Sequence, residues 1–279
     1  MKYIVAVSGG IDSMSLLHML HTRSSHDLVV AHVDHAVRPD STQDEDLVRE
    51  TAADYGLDYV TTRLEKSSDN SEDRLRTERY AWLEKIRQDY EADALVTAHH
   101  ADDIVETLVL NLVRGTGWRG AASLRSTETI VRPLLEVPKA EIVRYAIENN
   151  LRWREDSTNE DMRFTRNYIR HGIVGRLSNQ EKKSLRLIIA DQHRLREEIE
   201  HEAEIYARRL KSNMGYPRYD IIMLPDSVAL EILRCIIGQS LESEQLRRLL
   251  HFIKTGRQGT LMQVGNGVRA LLSAQYVML

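Results

Sequence analysis

Short apolar runs alternate with helical patterns through the first 150 residues, and this rhythm limits the folds open to the chain more than any other feature. The runs are YIVAVS (3–8), LVVAHV (28–33), YVTTRL (59–64), ALVTAHH (94–100) and TIVRPLL (129–135). Between them lie segments with apolar residues at helical spacing, over about 12–21, 43–55, 71–90, 102–113 and 139–149. Strands that read as continuous apolar runs are buried on both faces, which calls for helices on either side of a mainly parallel sheet. Crossovers between parallel strands are right-handed. The pattern therefore predicts an α/β, doubly wound, five-stranded sheet with the third strand at an edge.

After about Asn150 the rhythm stops. The segment REDSTNEDMRFTRNYIRHGIVGRL (154–177) is polar and basic, and a long charged helix is expected over about 180–210. Further helices fit 226–238 and 243–254, and the tail 259–279 reads as short strands joined by a Gly-Asn-Gly turn. A second, smaller and largely helical domain follows from this. The expected division is 1–175 and 176–279, with the change falling between Arg170 and Ser178.

Composition narrows the function classes. Hydrophobic residues make up 42% of the 279, enough for a sizeable core. A single cysteine, Cys235, excludes a disulfide framework, a Cys-based zinc site and a Cys-ligated iron–sulfur cluster, and suits a reducing compartment. No secretory leader or membrane span precedes the first glycines, so a cytoplasmic location off the membrane is expected. The net charge of −4 argues against a generic nucleic-acid coat, but the charge is uneven. Residues 36–93 hold 9 Lys/Arg against 16 Asp/Glu, whereas 114–176 hold 12 against 8. One positively charged face would account for that imbalance, as would a solvated surface of mixed charge.

In a doubly wound sheet ligands bind beyond the carboxyl ends of the strands, where the strand order reverses. Polar groups collect at those ends here: Ser8-Gly9-Gly10 after the first strand, His32, Asp34 and His35 at the second, His99, His100, Asp102 and Asp103 at the fourth, Arg132 at the fifth. The stretch Ser8-Gly9-Gly10-Ile11-Asp12-Ser13 joins a strand to a helix. Two glycines let the backbone turn sharply and approach a ligand, and a helix N-terminus offers amides to an anion. A plain capped turn has the same composition. The Walker ending Lys-[Ser/Thr] is absent, so transfer of a terminal phosphoryl group is not indicated. GTGWRG (115–120) fits G-x-G-x-x-G but follows a helix instead of a strand, which disqualifies it as a dinucleotide fingerprint; its glycines are expected to end that helix. The His/Asp cluster would suit a metal-dependent phosphoesterase, or its histidines would hydrogen-bond helix termini and loop backbone.

SGGIDS is the signature of the N-type ATP pyrophosphatases (the PP-loop superfamily), and within it the chain resembles the tRNA(Ile)-lysidine synthetases. The matching segments are HVDHAVRPDS (32–41), RTERYAWL (76–83), TAHHADDIVETLVLNLVRGTGWRGAASL (97–124), RPLLEVPKAEI (132–142) and REDSTNEDMRFTRNYIR (154–170). The resemblance implies ATP and Mg as cofactors, with free L-lysine and the isoleucine tRNA bearing a CAU anticodon as partners. Lysine is then attached to the wobble cytidine through an adenylated intermediate. Ser8, Gly9, Gly10, Ile11, Asp12 and Ser13 would hold ATP, with Asp12 a magnesium contact; Asp34 and Arg114 would be catalytic. Glu141 and Asp156 would bind lysine, and Arg163, Arg166, Asn167 and Arg170 would contact tRNA. Each has a plainer alternative: a helix-end charge for Arg114, a first-turn acid for Glu141, a turn cap for Asp156, and closure of the domain interface for Arg163, Arg166, Asn167 and Arg170. A tRNA thiolase is the neighbouring alternative, disfavoured by the lone cysteine. Many relatives carry an additional C-terminal tRNA-binding domain, and the likeness is weak beyond Leu177, so 176–279 is assigned to tRNA by position. The oligomeric state, a homodimer included, stays open.

Overall fold

The computed structural model of the chain describes residues 1–34, 41–64, 72–122, 124–155, 165–238 and 241–279. His35, Asp156 and Arg163 lie outside the described residues. The protein divides into two compact units, Met1–Ala190 and Asp191–Leu279.

The first unit runs β1 (Lys2–Ala6), α1 (Ile11–Arg23), β2 (Asp27–Asp34), α2 (Ser41–Asp54), β3 (Asp58–Arg63), α3 (Glu72–Asp89), β4 (Ala94–Val96), α4 (Ala101–Val113), α5 (Trp118–Ala121), β5 (Ile130–Val131), α6 (Lys139–Glu148) and α7 (Thr165–Asn167). A π-helical turn, Tyr168–Ile173, and a 3-10 turn, Val174–Arg176, lead to α8 (Asn179–Leu210), within which the unit ends. The five strands pair in parallel in the order β3-β2-β1-β4-β5. This is the expected doubly wound sheet.

Period-two alternation explains why β1 reads as uninterrupted apolar sequence. Val5 packs with Met14, Leu17, Val30 and Val48 on one face, and its neighbour Ile4 with Val29, Leu83 and Leu95 on the other. Both are fully buried. Each such side chain contributes roughly 1.5–3 kcal/mol, so both faces of β1 anchor the fold. β3 lies at an edge with no fully buried residue, as its weaker pattern predicts. β5 is only two residues long where the apolar run suggested seven, because Pro133 lacks an N–H for the ladder and the chain turns there.

From β1 the chain steps outward to β2 and β3, then returns to place β4 on the other side of β1. The order reverses between β1 and β4, so the crevice beyond their carboxyl ends is the topological switch point.

The second unit contains the rest of α8, then β6 (Tyr216–Pro217), α9 (Arg218–Met223), α10 (Asp226–Ile237), α11 (Ser243–Thr255), β7 (Leu261–Gly265), β8 (Val268–Leu272) and β9 (Tyr276–Met278). Leu246, Leu249, Leu250 and Ile253 recur at i, i+3, i+4 and i+7 along α11 and bury one face of it. They pack with Ile221, Leu233, Val264 and Val277 over a small antiparallel sheet of order β6-β9-β8-β7. Asn266 and Gly267 have φ of +49° and +80°, which suits the two-residue turn joining β7 to β8. Among the described residues, no helix of either unit is long and apolar enough to cross a membrane.

Candidate active site

The loop between β1 and α1 is held from three sides. Gly9 has φ of +88°, and a Cβ there would stand 3.3 Å from the Cβ of Asp44 in α2, so only glycine fits without strain. Its carbonyl accepts from the Arg154 amide at 3.0 Å, and the Arg154 Nε donates to Asp44 Oδ1 at 2.7 Å. Ser13 Oγ donates to the Gly10 carbonyl at 3.0 Å and accepts from the Ser8 amide at 3.1 Å. Ser13 is therefore the buried pin of the loop. Gly10 is the N-cap of α1 and supplies no side-chain cap. A helix start without a side-chain cap presents amides and the positive end of the helix dipole, which is the physical basis of anion binding.

Asp12 stands in the first turn of α1. Its Oδ1 accepts from Lys139 Nζ at 2.5 Å, and its Oδ2 lies 3.8 Å from His100 Nε2. The loop has no lysine of its own; α6 brings one to it. Sequence reasoning missed Lys139, although a lysine in the first turn of a helix opposes the dipole and is a sign of some other employment. The backbone amide of Lys139 donates to Asp102 Oδ1 at 3.3 Å, and Lys182 Nζ donates to Asp102 Oδ2 at 2.7 Å. Burial pushes the Asp102 carboxyl up, but the bonds from Lys182 and Lys139 outweigh it and hold the carboxyl below its ordinary range.

Beside this pair, His100 caps α4 in a reciprocal arrangement. Its Nδ1 accepts from the Asp102 amide and its own amide donates to Asp103 Oδ2 at 2.9 Å. Burial raises the Asp103 carboxyl, yet the neighbouring His100 and His99, the bond from the His100 amide and the Arg166 guanidinium leave it lowered. Burial drives His99 down to about 3, with Arg132, Arg79 and Arg76 acting the same way against Asp103, so His99 is neutral at physiological pH. His32 Nδ1 donates to the Val7 carbonyl at 2.8 Å. His32 and His100 thus serve backbone and a helix terminus, and among the described residues no three His, Cys, Asp or Glu side chains gather as a metal ligand set.

The remaining residues singled out from sequence are dispersed. Asp34 ends β2, buried, three residues past Ala31, the partner of Ala6, and its Oδ2 lies 3.3 Å from Arg63 Nε. Glu141 sits exposed in the first turn of α6, two residues from Lys139. Arg166 and Arg170, four residues apart, face Asp103 and Glu106 on α4. Arg170 binds Glu106 through Nε and Nη2 at 2.8 and 3.0 Å, and Arg166 Nε lies 3.6 Å from the same carboxylate. Asn167 between them is buried. Both guanidiniums are paired with carboxylates of α4. Arg114 is the exposed C-cap of α4, and 13 residues of helix separate it from the Asp102 end by roughly 20 Å. The structure brings Ser8–Ser13 together with Asp102, Asp103 and Lys139; Arg114 it does not.

Residues 1–177 match the PP-loop domain family (ATP_bind_3). The tRNA(Ile)-lysidine synthase of Synechococcus sp. is 33% identical over 269 residues, covering 89% of this chain and 82% of that relative. The chain belongs to the tRNA(Ile)-lysidine synthase branch of the PP-loop family. Its similarity to the enzyme of that name from Exiguobacterium sibiricum is 31% over 272 residues, 94% of the chain and 65% of the relative. For that of Thermotoga maritima it is 31%, over 85% and 60%. The chain therefore spans slightly under two thirds of these two relatives. Among solved structures, the U34-tRNA thiolase NcsA from Methanococcus maripaludis, determined with its 4Fe–4S cluster, superposes with a TM-score of 0.58 at 18% identity, covering 70% of this chain and 72% of that one. At that identity the likeness is one of fold.

Proposed function

We propose that this PP-loop protein uses ATP to attach free lysine to the wobble cytidine of the isoleucine tRNA with a CAU anticodon, releasing AMP and diphosphate. The observation that carries the reading is the α1 N-terminus without a side-chain cap, at the switch point, with Asp12 beside it, in a chain whose relatives bear the name tRNA(Ile)-lysidine synthase. In the first step the cytosine carbonyl oxygen attacks the α-phosphorus of ATP, and the bond to diphosphate breaks. In the second the uncharged lysine ε-amine attacks the activated carbon, the bond to AMP breaks and the amine loses a proton. Both leaving groups are anions, and amides fixed in place before the reaction stabilise such charge without reorganising.

Ser8 to Ser13 hold the phosphates in this reading. Magnesium commonly binds through one or two carboxylates plus substrate phosphates, and Asp12, with one oxygen on Lys139 and the other turned toward His100, suits that role. Bound there, the ion would supply charge neutralisation for the phosphates. Asp34, at the neighbouring strand end, is assigned to the adenylation step, and Arg114, at the far end of α4, to stabilising the adenylate or the leaving group. Glu141 and Asp156 take the lysine ammonium and help discharge it. Arg163 and Asn167 are assigned to the tRNA, and Arg166 and Arg170 reach it only as far as their α4 carboxylates allow. The division into 1–175 for catalysis and 176–279 for tRNA belongs to the same proposal, as does a cytoplasmic location. Thiolation is the weaker reading, since the chain carries one cysteine, in the second unit. The test is release of AMP that requires both lysine and an unmodified CAU-anticodon isoleucine tRNA; sustained turnover of ATP to AMP without lysine would overturn it.

A further inference from the structure

The loop at the switch point offers backbone amides but no cation, while a pyrophosphate leaving group carries more charge than amides alone balance. α1 and α6 run side by side and are joined by two side-chain bonds in one register. Asp12 to Lys139 spans 127 residues, and so does His18 to Tyr145, whose ring nitrogen and hydroxyl meet at 2.8 Å. Six residues separate the two bonds on each helix. Between them Leu16 and Ile142 are fully buried in one cluster. The seam fixes how far α6 reaches along α1, and thus where the Lys139 ammonium stands. Its backbone is fixed separately by Asp102, which Lys182 holds from the other side. Lys139 is 38% exposed and Asp12 29%, so the ammonium lies at the open mouth of the loop and not in a sealed pair.

From this juxtaposition we infer that Lys139 is the phosphate-binding lysine the loop lacks, delivered from α6, and that the His18–Tyr145 bond is its positioning pair. Asp12 holds the ammonium at the loop. With ATP bound, the ammonium would pair with oxygens of the β- and γ-phosphates, which become the leaving diphosphate, and the Asp12 carboxylate would be available to hold magnesium. The inference rests on the proposed ATP site and not on the identity of the RNA or amino acid.

Calorimetric titration of the whole chain with MgATP, with sodium pyrophosphate and with AMP tests it. Lys139→Ala weakens ATP and pyrophosphate at least tenfold and leaves AMP within twofold, since AMP lacks the phosphates concerned. Lys139→Arg recovers most of the loss, because charge and reach are retained. Tyr145→Phe and His18→Phe weaken ATP by a smaller factor, severalfold, with AMP again unchanged. Equal loss of all three ligands in Lys139→Ala, or no loss of any, overturns the inference. ATP selectivity that depends on Lys139 in a protein that makes no lysidine would instead sink the functional reading and leave this inference standing.

Discussion

Two glycine-rich segments, SGGIDS and GTGWRG, have nearly the same content of small and turn-forming residues, yet they occupy opposite situations. The first follows a buried strand and opens α1 at the point where the sheet order reverses; Gly9 is pressed against Asp44 and its carbonyl is bound by Arg154. The second follows α4. Gly115, with φ of +70°, ends that helix with open space where a Cβ would be, and Gly117 opens the single turn of α5. Asn111 Nδ2 closes the segment by donating to the Gly120 carbonyl at 2.7 Å. A glycine pattern is thus a permission; the strand before it and the charges around it decide whether it becomes a site. The same contrast runs along α4, whose first turns carry Asp102, Asp103 and Glu106 in a charged network while its C-cap, Arg114, is exposed.

The largest effect that would break this contrast is expected beneath the first segment. Glu106 is buried and receives two guanidiniums, so Glu106→Ala should cost about 3 kcal/mol of unfolding free energy by taking from Arg170 its doubly bonded carboxylate and from Arg166 its nearer one, with Asp103 left to face both. Chemical denaturation measures it, and a loss below about 1 kcal/mol would mean that the pairs are loose surface contacts. Gly9→Ala comes next. An alanine at positive φ costs about 1–2 kcal/mol and must also displace Asp44, so MgATP affinity should fall on the order of tenfold or more. Unchanged affinity would move the nucleotide away from this loop.

Acid sensitivity should likewise belong to the first region. Above about pH 6.5 His99 is neutral folded or unfolded and contributes nothing. Below that value the unfolded chain takes up a proton that folded His99 refuses down to about 3, so stability falls as pH falls, by roughly 1 kcal/mol per pH unit. The lowered carboxyls of Asp102 and Asp103 add stability that is present above the usual carboxylate range and lost below about pH 4. Melting curves between pH 7 and 4.5 should show the first limb, and His99→Gln should flatten it. Gly117→Ala should do least: φ is −71° and no atom lies within 4 Å of the added methyl, so stability should change by less than about 0.5 kcal/mol and ATP affinity not at all.

The contrast also bears on what the sequence discloses. Strands buried on both faces advertise themselves, and β1, β2 and β4 are written as apolar runs for that reason; β5, two residues long, was legible only as a longer run that Pro133 cuts short. The arrival of His99, His100, Asp102 and Asp103 at the same edge of the sheet as the loop follows from parallel topology alone. Lys139 and Lys182 do not, because they arrive from α6 and α8 through packing that no local pattern encodes. The pairing of Arg166 and Arg170 with Asp103 and Glu106 is visible beforehand only as i, i+4 and i, i+3 spacings, each ordinary on a helix.

The account's central claim is chemical, and mass analysis of the anticodon nucleosides tests it most directly. After incubation of the CAU-anticodon isoleucine tRNA with the protein, MgATP and lysine, the wobble cytidine should gain one lysine less one water. Gly9→Ala should lose most of that product and Gly117→Ala should keep it. An unmodified cytidine despite ATP consumption, or a wobble base that has gained sulfur in place of lysine, would contradict the account.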